Sequence, residues 1–450
     1  MGNSVKIRIT EGVAHIALAQ PPTNPLRPEL RADLAAALSQ AEADPEVTAI
    51  VLSGEGNGLS AGSDLRELDT APDVPGVAAL CRRIEDGPKP VVAALHGTTI
   101  GSGAELALAA HVRLMEPDAR LSLPEISLGL VPGAGATQRL PRLVGAALAL
   151  DMLLEPRVLS GHAAREAGLV DGVVVGHLAT GAHTLARALG AGAREWQPVR
   201  TRRDRLADSA GYFAAIAARR EALAGHRIHA AGRIVDCVEA ALLLPFDSGL
   251  AFEEAARQDC LADSQHVALR HLYLAERRVP ARLLSSTTGR RTISEPAGTE
   301  VLARLRHVLG GAVQALAAQG HGADEIGNAM TVYGFSQRPE APVAATAGPD
   351  DEMILRRLIA ALMAEGGRLV EDRLVDRASD VDVLAVHGLG FPRWHGGPMR
   401  AAQTMGLLKL KRQMETWAED SAIWAPPRLL VQAIKFAGGF DQVVVVPSAA

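Results

Sequence analysis

A change of pattern near residue 185 constrains this chain more than any other feature. From about residue 5 to 180, apolar runs of strand length alternate with helical spacing. Val13–Leu18, Ala49–Ser53, Pro90–Leu95 and Val112–Met115 read as short buried strands, and Arg31–Glu42 and Ala104–Ala110 read as helices. Short strands with intervening helices indicate an α/β domain. Beyond about Leu185 the pattern is mostly helical. Leu206–Ala224, Ile234–Leu243 and Leu250–Ala275 have helix periodicity, with a break at Pro245, Phe246 and Asp247. The polar stretch Val279–Gly298 reads as a linker, and from Thr299 the chain is again mainly helical. A length of 450 residues leaves room for two or three domains. The boundaries that follow are an α/β domain over 1–190, a helical extension and linker helix over 191–280, a linker over 281–298 and a helical region over 299–450.

The last region carries a weak internal repeat. ADEIGNAMTVYGF, Ala323 to Phe335, resembles ASDVDVLAVHGLGF, Ala378 to Phe391, with one residue inserted. Each copy follows a long amphipathic run, Val301–Gln319 and Asp351–Arg373, so a duplicated helical unit is expected. Ala341–Asp350, between the copies, reads as a loop.

Bulk properties exclude several classes. The net charge is −5 and no Lys/Arg block forms a tail, so nucleic acid is not an expected partner. Three cysteines, Cys81, Cys237 and Cys260, lie far apart without CxxC spacing, which suits a reduced, cytoplasmic protein and no metal centre. The N-terminal residues lack an apolar export segment and a myristoylation pattern. Apolar stretches are broken by Gly or charge before the length of a membrane span.

The chemistry concentrates on two glutamates. Glu105 lies in HGTTIGSGAELALAAHVRLME and Glu125 in LSLPEISLGLVPGAGATQRLPRLVG. Two carboxylates held near one point can add or remove water, one as base and one as acid. Backbone donors are also needed for an oxyanion. Ser102 precedes the helix that carries Glu105, where orphan N–H groups favour negative charge. Ser63, in the turn LSAGSDL, offers a second N–H, and Gly62 and Gly103 would let the backbone approach a ligand closely. Taken singly these signals have plain structural readings. Glu105 among Ala104, Leu106 and Leu108 reads as a cap or ion-pair partner, and Glu125 after Pro124 as the acidic first turn of a helix. Gly56 to Ala61 fits only a loose GxGxxA pattern, and GxGxxG is missing from the sequence.

Together the frames resemble the crotonase (enoyl-CoA hydratase/isomerase) family. The matching pieces, between about Val13 and Val174, are PPTNPLRPEL, AIVLSGEGNGLSAGSDL, KPVVAALHGTTIGSGAELALAAHVRL, LSLPEISLGLVPGAGATQRLPRLVG and LSGHAAREAGLVDGVV. The resemblance implies a spiral ββα crotonase fold for the N-terminal domain. It implies that Glu105 activates water and Glu125 protonates the α-carbon, with the N–H groups of Ser63 and Ser102 as the oxyanion hole. Many family members have Ala and Gly where this chain has these serines. Implied substrate contacts are Ala61, Gly62, Asp64, Leu65, Arg66, Gly101, Gly103, Pro132 and Gly133, with Arg66 and Arg27 as phosphate partners and coenzyme A lying along Leu59–Leu68.

The rest resembles the multifunctional β-oxidation proteins, in which hydratase and 3-hydroxyacyl-CoA dehydrogenase share a chain. Pro245 to Val279 is similar to their linker helix. The all-α region from Thr299, above all HGLGFPRWHGGPMRAAQTMGL, is similar to the duplicated C-terminal half of the dehydrogenase. An NAD-binding domain would need roughly 150 residues where about twenty, Val279 to Gly298, are available. The resemblance therefore implies no NAD, no other cofactor and no dehydrogenase step, with structural roles for His387 and His395. The first repeat lacks the Gly-Pro after its Gly-Phe turn, since YGFSQRPEAP stands there. The expected activity is hydration of 2-trans-enoyl-CoA. The alternatives are Δ3-Δ2-enoyl-CoA isomerisation and a non-catalytic scaffold for a thiolase or another β-oxidation partner. Ile234–Arg278 is expected to return to the N-terminal domain, and a homo-oligomer is left open.

Overall fold

In a computed structural model, residues 4–67, 73–155, 157–287, 290–335, 348, 350–435, 439–440 and 443 are described. The chain divides into two units, Met1–Ala262 and Asp263–Ala450.

The first unit opens with β1 (Val5–Thr10) and β2 (Val13–Leu18), then α1 (Pro28–Ala43), β3 (Ala49–Gly54), α2 (Val77–Asp86), β4 (Val91–Leu95), β5 (Thr98–Ile100), α3 (Ser102–Ala109), β6 (Val112–Met115) and β7 (Arg120–Ser122). It continues with α4 (Ala136–Val144), α5 (Ala146–Leu154), β8 (Leu159–Ser160), α6 (Gly161–Glu166), β9 (Gly172–Val173), α7 (Leu178–Gly190), α8 (Ser209–Ala222), α9 (His229–Leu243) and α10 (Phe246–Ala262). The main sheet has the order β1-β2-β3-β4-β6-β9, and a smaller sheet the order β5-β7-β8. Only β1 runs antiparallel in the main sheet. Strand β4 is buried at every residue, as a central parallel strand should be. Helix α7 closes one face of the sheet, with Leu178, Ala182, Ala186 and Leu189 against Val13, Val51 and Val92.

Helix α10 packs on α9 and α4. Its buried side is Phe246, Gly249, Glu253, Ala256 and Cys260, a stripe at helical spacing interrupted by one acid. Cys81, Cys237 and Cys260 are buried and form no disulfide.

The second unit begins at α11 (Ser264–Ala275). The expected single helix over Leu250–Ala275 is thus two, because Asp263 leaves helical geometry and caps the second, accepting from the Gln265 N–H at 2.8 Å. The expectation that Ile234–Arg278 returns to the first domain is corrected accordingly. Residues to Ala262 belong there, and α11 packs Leu272 and Ala275 with Leu284 and Val383 of the second unit.

The expected linker is also corrected. Residues Leu284–Thr287 (β10) and Arg290–Ile293 (β11) pair as an antiparallel hairpin. Its polar Ser, Thr and Arg residues suit a two-stranded ribbon, while Leu284 and Ile293 anchor it in the core.

The remainder is helical: α12 (Ala297–Ala318), α13 (Ala323–Tyr333), α14 (Asp351–Glu371), α15 (Ala378–Leu389), α16 (Pro398–Thr404), α17 (Leu407–Trp417) and α18 (Arg428–Lys435). Helix α14 is buried on nearly all sides and packs on α12, α13, α15, α16 and α18. The two repeat copies form α13 and α15. Each ends at a left-handed glycine, Gly334 or Gly390, and the following Phe335 and Phe391 meet edge to face at 5.1 Å. The loop expected at Ala341–Asp350 and the departure in YGFSQRPEAP fall largely outside the described residues.

His387 bonds Glu276 at 2.8 Å, and His395 stacks on Tyr333 at 4.0 Å between centroids. Both histidines therefore have structural partners within the second unit. Among the described residues no helix is long and apolar enough to cross a membrane.

Candidate active site

Strands β3 and β4 run parallel, with Ile50 beside Val91, so the chain leaves both at the same edge. The two exits form turns that bond to each other. Thr98 N–H donates to the Asn57 oxygen at 2.9 Å and Ile100 N–H to the Ser60 oxygen at 2.9 Å. Asn24, fully buried, fixes the first turn. Its side-chain amide donates to the carbonyls of Glu55 at 2.7 Å and Gly58 at 3.0 Å. Sequence reasoning quoted the PPTNP segment without giving Asn24 this role.

The close packing of these turns gives Gly62 and Gly103 a structural role of their own. A Cβ on Gly103 would lie 2.6 Å from the Ser60 oxygen, and one on Gly62 2.9 Å from the Ile100 oxygen. These glycines let two protein segments touch each other, which is what brings Ser63 beside Ser102. The Ser63 hydroxyl meets the Ser102 hydroxyl at 2.9 Å. Ser102 is the first residue of α3, so its N–H has no acceptor within the helix.

Glu105 sits one turn into α3 and is 2% exposed. Its Oε1 accepts from the N–H groups of Ala134, at 2.7 Å, and Ala136, at 3.3 Å. Those amides open α4, where the aligned peptide dipoles favour an anion. Glu125 starts the short 3-10 segment Glu125–Leu128. A Cβ on Gly101, the residue before α3, would lie 3.0 Å from Glu125 Oε1. Among the described residues the Oε2 of Glu125 is enclosed without a hydrogen-bond partner.

A third carboxyl, not foreseen from the sequence, completes the group. Glu253 of α10 is 2% exposed. It accepts from the N–H of Gly135 at 2.6 Å, the N–H of Thr137 at 2.9 Å and the hydroxyl of Thr137 at 2.5 Å. The available signal was a lone acid on the apolar stripe of α10.

Burial pushes Glu125 up to about 8, with repulsion from Glu105 adding to it. Glu253 is likewise pushed up to about 8 by burial and by Glu105, against the pull of its bonds to Thr137 and Gly135. Burial also raises Glu105, opposed by the Ala134 and Ala136 amides and by the nearby charges of Arg257 and Arg139. The mutual repulsion places Glu105 and Glu125 in one electrostatic neighbourhood. Their partners differ: Glu105 has donors that stabilise an anion, whereas Glu125 Oε2 has none. A pair of this kind can hold an ionised base and a protonated acid together at neutral pH.

The residues expected to bind substrate fall in three places. Ala61, Gly62, Ser63, Asp64, Leu65 and Arg66 follow β3, Gly101, Ser102 and Gly103 lead into α3, and Pro132 and Gly133 lead into α4. Arg27 stands at the start of α1. Arg66 and Arg27 both bond Asp64, at 2.5 and 3.3 Å, and Arg66 chiefly holds the Asp64 carboxyl well below the usual range. Arg66 remains 74% exposed at its side chain. Leu68, the end of the expected coenzyme A turn, lies outside the described residues.

Arg257, one turn beyond Glu253, covers Gly133, where a Cβ would lie 2.3 Å from its side chain. Sequence reasoning did not single it out.

The enoyl-CoA hydratase/isomerase family profile matches residues 8–192. A "Probable enoyl-CoA hydratase" of Bacillus subtilis is 39% identical over 175 residues, which are 37% of this chain and 68% of that protein. The "Peroxisomal bifunctional enzyme" of Danio rerio is 42% identical over 165 residues, 37% of this chain and 23% of the relative. The human protein of the same name is 34% identical over 284 residues, 60% of this chain and 38% of its own length. This chain thus spans well under half of the bifunctional relatives it matches. By its two glutamate frames, and by its identity over most of the Bacillus protein, the chain belongs to the enoyl-CoA hydratase/isomerase family.

Proposed function

We propose that the first unit adds water to 2-trans-enoyl thioesters of coenzyme A, as a step of fatty-acid β-oxidation. The observation that carries this reading is the unequal hydrogen bonding of two carboxyls, Glu105 accepting from two amides and Glu125 enclosed with an unbonded oxygen among the described residues.

In this reading the thioester oxygen lies against the N–H groups of Ser63 and Ser102. Glu105 takes a proton from water as the water oxygen bonds to C3. The electron pair of the double bond moves onto the thioester oxygen, giving an enolate held by the two amides. Glu125 then delivers its proton to C2 and the thioester carbonyl re-forms. The acid and base each supply about two to four orders of magnitude, and each backbone donor about two to three. In this reading Arg27 and Arg66, exposed near the first turn and paired with Asp64, are the partners of the coenzyme A phosphates.

The test is loss of the conjugated-thioester absorbance of crotonyl-CoA. Turnover that disappears in Glu105→Gln supports the proposal, and a wild-type protein inert toward C4 to C16 enoyl-CoA overturns it in favour of a scaffold. Δ3-Δ2 isomerisation is a second reading, favoured by the enclosed Glu125 carboxyl, which can move a proton between two carbons without water. Isomerisation retained in Glu105→Gln would support dual activity.

We further propose that this chain does not oxidise the hydrated product. Among the described residues the second unit consists of helices and one two-stranded hairpin, with no parallel sheet of the kind that cradles a dinucleotide. NADH formed on adding NAD to the reaction would overturn this.

A further inference from the structure

Helix α10 reaches the N-terminus of α4 through a close approach. A Cβ on Gly249 would lie 2.1 Å from the Gln138 side chain, so at this point α10 is as near to α4 as a glycine permits. One turn later the same face delivers Glu253. The turn it meets spans Ala134 to Thr137, and four successive amides of that turn are shared in strict alternation. Ala134 and Ala136 donate to Glu105, while Gly135 and Thr137 donate to Glu253. Arg139 takes the opposite side, donating to the Ala134 carbonyl at 2.6 Å while paired with buried Glu85 at 2.9 Å.

The consequence is geometric. The Ala134 and Ala136 amides can point at Glu105 only while the turn keeps its alternating orientation, and Glu253 holds the alternate pair. The sequence of α4 alone does not enforce this, because a side-chain cap of α4 is absent and Gly135 stands at the cap position with φ of 98°. We propose that Glu253 is a positioning residue for the hydration reaction, fixing through this turn the amides that orient the Glu105 base. The inference rests on the hydratase reading of the Glu105 and Glu125 pair.

Glu253 also faces charge from several elements. Glu105 of α3, Glu125 after β7 and Arg257 of α10 belong to the same electrostatic group, as do Arg139 of α4, Cys81 of α2 and Cys237 of α9. Repulsion from Glu253 helps to raise Glu125, so neutralising Glu253 should lower the pH at which Glu125 gives up its proton.

The experiment compares Glu253→Gln, Thr137→Val and wild type in the full chain, using crotonyl-CoA hydration across pH 5 to 10. Rates are expressed per folded molecule, with thermal melting as the fold control. Glutamine places an NH2 group against a donor and breaks part of the clamp. Valine removes the hydroxyl, and with it the bond to Glu253 and the one accepted from the Gln138 side-chain amide, while the Thr137 N–H stays. The expected result is a fall in kcat of about 10- to 100-fold for Glu253→Gln, the scale of a small misplacement of a reacting group. KM should change much less, and the alkaline limb of the profile should move to lower pH. Thr137→Val should shift kcat in the same direction by less. A Glu253→Gln protein that folds, with kcat and pH limb within twofold of wild type, overturns the proposal. If Glu253→Gln does not fold, an unchanged kcat in Thr137→Val overturns it and a reduced kcat at unchanged KM supports it. Wild-type protein without turnover sinks the hydratase reading and this role with it, an outcome distinct from an active wild type with an indifferent variant.

Discussion

Glu105 and Glu253 take their hydrogen bonds from alternating amides of one turn, Ala134 and Ala136 for the first, Gly135 and Thr137 for the second. Two acids therefore share a single helix N-terminus, and a third, Glu125, lies within range of both. A buried group of three acids resists full ionisation, and proton retention is what acid–base chemistry at neutral pH requires.

Replacing either member of the proposed acid–base pair by its amide should abolish most turnover. Glu105→Gln and Glu125→Gln are each expected to lower kcat for crotonyl-CoA by about two to four orders of magnitude. Thermal melting should be retained in Glu125→Gln, because that substitution removes a buried ionisable group.

Activity and stability should both respond to Glu125 as pH rises. Its carboxyl is raised from about 4.5 to about 8 in the fold. Hydration should fall as pH rises through about 8, where the proton donor is lost. The sign for stability is the same. A raised folded-state value contributes stability that is complete below about 4.5 and is lost progressively as pH rises toward 8. Urea unfolding from pH 4.5 to 9 should show this decline, and Glu125→Gln should flatten it. A profile with no alkaline limb near 8 would remove Glu125 from the acid role.

Arg257 should act on the same limb in the opposite sense to Glu253. Its charge lowers both Glu105 and Glu125. Arg257→Ala is expected to move the alkaline limb of the rate profile to higher pH, and a shift to lower pH would contradict the arrangement.

The oxyanion assignment separates backbone from side chain. Ser102→Ala keeps the N–H and should change kcat by less than about tenfold. Ser102→Pro deletes the N–H at the first helical position, where proline fits without breaking a helical bond. Loss of about two to three orders of magnitude is expected for proline. Equal rates in the two variants would exclude the Ser102 amide as donor.

In the second unit, acid should act through Glu276. Burial would raise its carboxyl, yet bonds from His387 and Arg291 and the charge of Arg393 hold it at about 2. A depressed value contributes stability present above about 4.5 and lost as pH falls toward 2. Glu276→Gln should shift the acid unfolding midpoint of this unit, followed by circular dichroism, to higher pH.

The alternation of short apolar runs with helical spacing was enough to identify the α/β half, because buried parallel strands leave continuous apolar runs and the helices between them keep their own period. The repeat was legible for a similar reason. Each copy ends at a glycine that must be left-handed, followed by a phenylalanine that must be buried, so the two copies carry the same local marks. Glu105 and Glu125 were legible because each sits in a local frame of glycine and proline that shapes its own turn. Glu253 was not, since its partners lie 118 and 116 residues away and nothing in its own helix except one acid on an apolar stripe betrays them. The hairpin at Leu284–Ile293 escaped because its few apolar anchors sit in a polar stretch that reads equally as linker. Local pattern determined most of the elements and the two glutamate frames. Which acids share one helix N-terminus was decided by packing between distant segments, because hydrogen bonds to buried carboxylates are set by where helices cross and not by the sequence around any one of them.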